Sequence, residues 1–144
     1  MKRKAFTLLE LMLVVAIIGI LAAIAIPKFA ALIDKSREGY TKGALATMRT
    51  AISVYYSDNE GVYPADDLSS LLVNGKYLNE IPVVKIPLTP HRNSIRIVTP
   101  ASQAILISDT GGWAYSNVPT DFEWGHLAVN CSHLDSAGEN WSGF

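Results

Sequence analysis

Cysteine is all but missing from this 144-residue chain, with Cys131 the single one. No intrachain disulfide is therefore possible, and Cys131 reads as a small packed residue. Net charge is nearly missing as well, at −1, which removes any argument for nucleic-acid binding. Catalytic signatures are also missing. The three histidines are His91, His126 and His133. None shows a metal-ligand spacing on an expected helix, and no nucleophile motif surrounds a serine or the cysteine. Each histidine reads as a surface or packed side chain. Tyr55 and Tyr56 read as core, with no basis for a cofactor role.

Charge is also absent along one long run. Phe6 to Ile26 is 21 residues with one charged side chain, Glu10. At the rise of a helix this run spans roughly 30 Å, the thickness of a bilayer's hydrocarbon core. A helix apolar all round sits in lipid or inside a helical assembly. Lys2, Arg3 and Lys4 precede it and favour a cytoplasmic N-terminus. Lys28, Lys35 and Arg37 follow it, so the charge asymmetry is partial. A secretory signal peptide is the competing interpretation, with Ala23-Ile24-Ala25 as its small-residue site. Against it, Glu10 interrupts the apolar region near its start, and the run exceeds the usual length of about 7–15 residues. Glu10 itself is either a carboxylate snorkelling to the interface or one held for a partner cation. Gly19 and Pro27 both weaken a helix, the proline by removing a donor and clashing with the preceding turn.

The run Lys4-Ala5-Phe6-Thr7-Leu8-Leu9-Glu10, continued through Gly19 to Pro27, resembles the N-terminus of type IV pilins and type II secretion pseudopilins. The resemblance covers about the first 30 residues. It implies that a prepilin peptidase cuts between Ala5 and Phe6 and methylates the new Phe6 amine. The family usually has glycine before the cut, and Ala5 departs from that. Glu10 matches the family glutamate that pairs with a neighbouring subunit's N-terminal amine during assembly. Gly19 and Pro27 match positions between which the family helix loosens in the filament. Removing Lys2, Arg3 and Lys4 leaves nine basic against 13 acidic residues, a net charge of −4. Many pilins close a C-terminal loop with a disulfide, which Cys131 alone cannot do. Some pseudopilins hold calcium there instead. Asp109, Asp121 and Asp135 are the calcium candidates here, without an EF-hand-like loop around them.

Beyond Pro27 the pattern stays helical to about Asn59, with Phe29, Leu32, Tyr40, Leu45, Met48, Ile52 and Tyr55 spaced at multiples of a helical turn. This half is amphipathic and must lie on something. Gly39 and Gly43 lower propensity and mark a possible bend. Gly61, followed by Pro64, is a C-terminal stop, and Tyr55 to Pro64 also resembles the end of the pilin long helix. Asp66 or Asp67 is placed to cap a short helix from Leu68 to about Val73. Pro82, Pro87 and Pro90 make residues 81–93 irregular. Strand-like runs follow at Ser94–Val98, Ala104–Ser108, Gly112–Ser116 and His126–Asn130, with Asp109-Thr110-Gly111-Gly112 as a tight turn between two of them. Ser132 to Phe144 reads as loop, tacked down by Trp141 and Phe144.

The expected fold is α+β: a long N-terminal helix packed on a small antiparallel sheet. The expected division is a basic leader at 1–5, a membrane or filament-core rod at 6–27, the amphipathic half at 28–61 and a head at 62–144. The expected function is an interaction protein, not an enzyme. By resemblance it is a single-pass precursor in a bacterial inner membrane, with its N-terminus cytoplasmic and its head periplasmic. The resemblance also implies its partners: copies of itself and related pilin-like subunits, the prepilin peptidase, the inner-membrane assembly machinery and membrane lipid. The product is a surface pilus or a periplasmic pseudopilus. The alternative is a membrane-tethered or secreted periplasmic binding domain or enzyme that uses the segment only as anchor or signal.

Overall fold

The computed structural model describes residues 6–100 and 107–144. The leader with Ala5, and most of the expected strand Ala104–Ser108, lie outside these residues. The chain divides into two compact units, the first ending at Lys35 and the second running from Ser36 to Phe144.

One helix, α1, spans Leu8–Asp58, and Pro27 sits inside it. It runs unbroken through Gly39 and Gly43, where a bend was expected. Helix-favouring Ala, Leu and Met carry it across these weak points. It ends as the sequence predicts. The Asn59 amide donates to the Tyr55 carbonyl and the Gly61 amide to the Tyr56 carbonyl, each at 3.0 Å. Glu60 and Gly61 take positive φ, +54° and +86°, which turns the chain out of the helix.

Within the first unit the apolar side chains of α1 are uncovered. Leu8, Leu9, Ile20 and Ile26 are each about two-thirds exposed or more. The helix is long and apolar enough to cross a membrane.

Within the second unit α1 buries one face. Glu38, Thr41, Ala44, Leu45, Met48, Ala51 and Ile52 are its buried residues, spaced by three and four as a helical stripe requires. They join a core with Leu68, Leu71, Val84, Trp113, Leu127 and Trp141. Tyr55 packs against that core, as expected. Tyr56 is more exposed and stacks on Tyr63, with ring centroids 4.3 Å apart.

The sheet has three strands in the order β1-β2-β3: β1 Ile97–Val98, β2 Trp113–Tyr115 and β3 Leu127–Val129. β2 and β3 pair antiparallel, with Trp113 opposite Val129 and Tyr115 opposite Leu127. β1 and β2 pair parallel, with Ile97 opposite Trp113. The sheet is therefore mixed, not antiparallel as expected. A connection as long as 99–112 allows the crossover that parallel pairing demands. The segment Asp109–Gly112 is not a hairpin between paired strands. It delivers the chain to β2 beside β1, where the Trp113 amide donates to the Arg96 carbonyl at 2.8 Å. All six residues of β2 and β3 are buried.

The expected short helix is a 3-10 segment, Ser69–Gly75. Leu68 has φ +67° and cannot begin a helix. Asp66 caps the segment as anticipated, accepting from the Leu68 and Ser70 amides at 2.9 Å each.

Polar side chains of α1 fasten the rest of this unit. The Thr41 hydroxyl donates to the Lys85 carbonyl at 2.7 Å and accepts from the Lys85 amide at 2.9 Å. The Glu38 carboxylate accepts from the Ser136 amide at 3.0 Å. Lys42 reaches Asp135 at 2.7 Å and lies 3.7 Å from the centre of the Phe144 ring. Arg49 donates from Nε and a terminal nitrogen to the Leu127 carbonyl, at 3.1 and 2.7 Å, and to the Phe144 carbonyl. An Arg49→Ala chain is expected to lose about 1.5–3 kcal/mol of head stability, the range for hydrogen bonds to a charged group. Arg49→Lys should recover little, because an ammonium has no planar fork. Urea unfolding checks this, and an unchanged midpoint for Arg49→Ala would refute it. Trp141 is fully buried and Phe144 meets it edge-on at 5.8 Å, so the tail is tacked down by the two residues predicted to do so.

Candidate functional site

At the start of α1 the sequence Thr7-Leu8-Leu9-Glu10 closes a capping box. The Thr7 hydroxyl accepts from the Glu10 amide at 3.2 Å. The Glu10 carboxylate reaches back to accept from the Thr7 amide at 2.8 Å and its hydroxyl at 2.9 Å. Two donors that a helix start leaves unpaired are thereby satisfied. A negative group in the first turn also suits the positive end of the helix dipole. Sequence reasoning treated Glu10 only as a lone charge, although a threonine three residues before a glutamate was in plain view. Within a single chain, then, the carboxylate faces the chain's N-terminal end. Phe6 beside it is 69% exposed.

Gly19 and Pro27 lie on the same uncovered stretch. A side chain at Gly19 would meet nothing within 4 Å. Pro27 supplies no amide to the turn before it, yet the helix continues through it.

In the head, the three candidate calcium carboxylates sit in three separate networks. Asp121 accepts from the Ser116 hydroxyl at 3.3 Å and the Glu123 amide at 3.1 Å. Asp135 takes Lys42 and the amides of Ala137 and Glu139, at 2.8 and 2.9 Å. The Lys42 ammonium, followed by the Glu139 amide, holds the Asp135 carboxyl down to about 2. Asp109 accepts from the Ser132 amide at 2.8 Å, which lowers its carboxyl below the ordinary range.

Asp109 has other company that sequence reasoning missed. His91, Asp109, Cys131 and His133 bring one donor atom each to within 4.8 Å of one another. His91 Nε2 lies 3.2 Å from Asp109 Oδ1 and 3.3 Å from His133 Nδ1. His133 Nδ1 lies 3.4 Å from Asp109 Oδ1 and 3.4 Å from Cys131 Sγ. Cys131 is buried, as expected for a packed residue, and burial pushes its thiol up. The local backbone explains the convergence. The Asn130 side-chain oxygen accepts from the Ser108 and Asp109 amides at 2.8 and 3.2 Å, fixing Asp109 at φ +55°. Gly111, at φ +76°, lies where an added side-chain carbon would press on His91 Cβ at 3.2 Å. Only the Cys131-Ser132-His133 spacing hinted at this cluster, because His91 and Asp109 arrive from distant loops.

Residues 1–26 match the family model described as the prokaryotic N-terminal methylation motif. The chain is 45% identical over 84 residues to the fimbrial protein EcpC of Eikenella corrodens, covering 56% of this chain and 54% of that protein. It is 34% identical over 100 residues to the type IV major pilin protein PilE of Neisseria gonorrhoeae, covering 66% and 59%. It is 37% identical over 68 residues to the type IV narrow pilus major component PilA5 of Thermus thermophilus, covering 47% and 59%. The chain thus spans little more than half the length of these relatives. No solved structure matches it. The chain thus carries the N-terminal methylation motif and, over part of its length, is similar to type IV pilins and a fimbrial protein.

Proposed function

We propose that this chain is a structural, non-catalytic subunit of a type IV pilus, made as a membrane-anchored precursor and assembled through α1. One conjunction carries this reading. The apolar, bilayer-length part of a long helix, its sides uncovered, lies within a matched methylation motif, with a carboxylate at the fifth residue from Phe6. Apolar surface on that scale requires lipid or other helices around it. The precursor holds its N-terminus in the cytoplasm and its head across the inner membrane. A prepilin peptidase cuts between Ala5 and Phe6 and methylates Phe6, and the assembly machinery then moves the rod from lipid into a bundle of its own kind. There Glu10 pairs with a neighbour's terminal amine, and the helix loosens between Gly19 and Pro27. The similar proteins are pilins and a fimbrial protein, which favours a surface pilus over a secretion pseudopilus.

The N-terminus of the protein isolated from its membranes tests this. Intact mass and terminal-peptide mass spectrometry are expected to find N-methylated Phe6. A chain beginning at Met1 would mean a permanent anchor, and one beginning near Ile26 an ordinary secreted head. Either would overturn the proposal.

A further inference from the structure

We infer that His91, Asp109, Cys131 and His133 form a tetrahedral site for a zinc-class divalent cation, which staples the head. The donor set is two imidazoles, a thiol and a carboxylate, the ligand types zinc takes. The spacing agrees. Zinc bonds of about 2.0–2.3 Å at tetrahedral angles put ligand atoms about 3.3–3.7 Å apart. Four of the six separations are already 3.2, 3.3, 3.4 and 3.4 Å. Two ring nitrogens face each other and the same carboxylate oxygen. A ring-to-ring hydrogen bond uses that nitrogen–nitrogen approach in one choice of tautomers, whereas a cation between them uses both lone pairs and the carboxylate oxygen at once. Access suits a bound ion: Cys131 is buried, the His91 side chain is 9% exposed, and those of Asp109 and His133 are 36% and 39% exposed.

The site also has a reason to exist. It joins three loops: one before β1, one before β2 and one after β3. His91 and His133 are 42 residues apart in sequence. A small head with a single cysteine cannot staple these loops with a disulfide, and a structural metal is the other common device. Zinc would hold Asp109 here, where the sequence alone offered it as a calcium ligand.

The test uses the full chain in detergent, freed of metal with a chelator. Cobalt(II), the spectroscopic substitute for zinc, is expected to bind one per chain, with the visible bands of a tetrahedral ion and a thiolate charge-transfer band. Cys131→Ser should remove the charge-transfer band. His133→Gln, at a part-exposed position, should weaken zinc by at least the roughly hundredfold that loss of even an outer-shell partner can cost. His126→Gln, an exposed histidine outside the cluster, should change nothing. Zinc should raise the melting temperature and calcium should not. The inference is overturned if cobalt gives no tetrahedral spectrum, if His133→Gln binds zinc as the parent does, or if calcium stabilises the head and zinc does not. The first of these would leave a hydrogen-bonded His–Asp–His cluster only. None of these outcomes depends on filament assembly.

Discussion

A Glu10→Ala chain is expected to enter the membrane as the parent does and to yield almost no filaments. Insertion depends on the apolar length of α1, which the substitution increases. In the proposed assembly, the outcome depends on what the carboxylate meets when rods leave lipid and pack together. A subunit whose terminal amine finds no carboxylate buries an unpaired charge, and losing one partner of a buried pair is strongly destabilising. The expected drop in sedimentable filaments is about tenfold or more. The capping box adds a second role that alanine also removes, since Glu10 accepts from the Thr7 amide and hydroxyl. Glu10→Gln separates the two. A glutamine oxygen still accepts from Thr7 but carries no charge. Both variants failing to assemble would assign the effect to charge. Glu10→Gln assembling normally would assign it to helix capping. Normal filaments from Glu10→Ala would remove Glu10 from assembly altogether.

The rod was legible in sequence because its signal is composition, and composition needs no partner. Twenty-one residues with one charge predict a helix wherever they lie. The stop at Gly61 was equally plain, since glycine takes a positive φ at little cost. The head was harder. The runs around Trp113 and Leu127 predicted β2 and β3, but an alternating pattern does not say which way a neighbouring strand runs. The pairing of β1 was therefore misjudged. Asp109–Gly112 looked like a hairpin turn because its residues tolerate the left-handed region. In the fold that tolerance serves a different end, holding Asp109 beside His91 and leading the chain into β2.

The histidine cluster was illegible for a related reason. Spacing on one element is a local signal, and His91, Asp109 and the Cys131–His133 pair come from separate loops. Only the tertiary fold brings them together. The Asn130 side chain and the close approach at Gly111 do the positioning, and neither residue contributes a donor to the cluster.

Gly112→Ala is expected to be strongly damaging to the head. Gly112 has φ +81°, and an added Cβ would run into the Arg96 carbonyl. That carbonyl is the acceptor for the Trp113 amide where β1 meets β2. The Gly112 carbonyl in turn accepts from the Asn130 amide at 2.9 Å. The neighbour is backbone, which cannot swing aside as a flexible side chain would. Left-handed geometry costs a residue with a Cβ about 1–2 kcal/mol. Disturbing the Trp113 hydrogen bond adds about 0.5–1.5 kcal/mol. The expected loss is therefore about 1.5–3.5 kcal/mol. Gly138→Ala is the matched comparison, with φ +85° but nothing within 4 Å of the new carbon. It should show the conformational cost alone, about 1–2 kcal/mol. Urea unfolding followed by tryptophan fluorescence reads both, because Trp113 is buried next to the substituted position. If the two alanines cost the same, close approach to β1 is not why position 112 needs glycine, and the parallel pairing must draw its stability from elsewhere in the core.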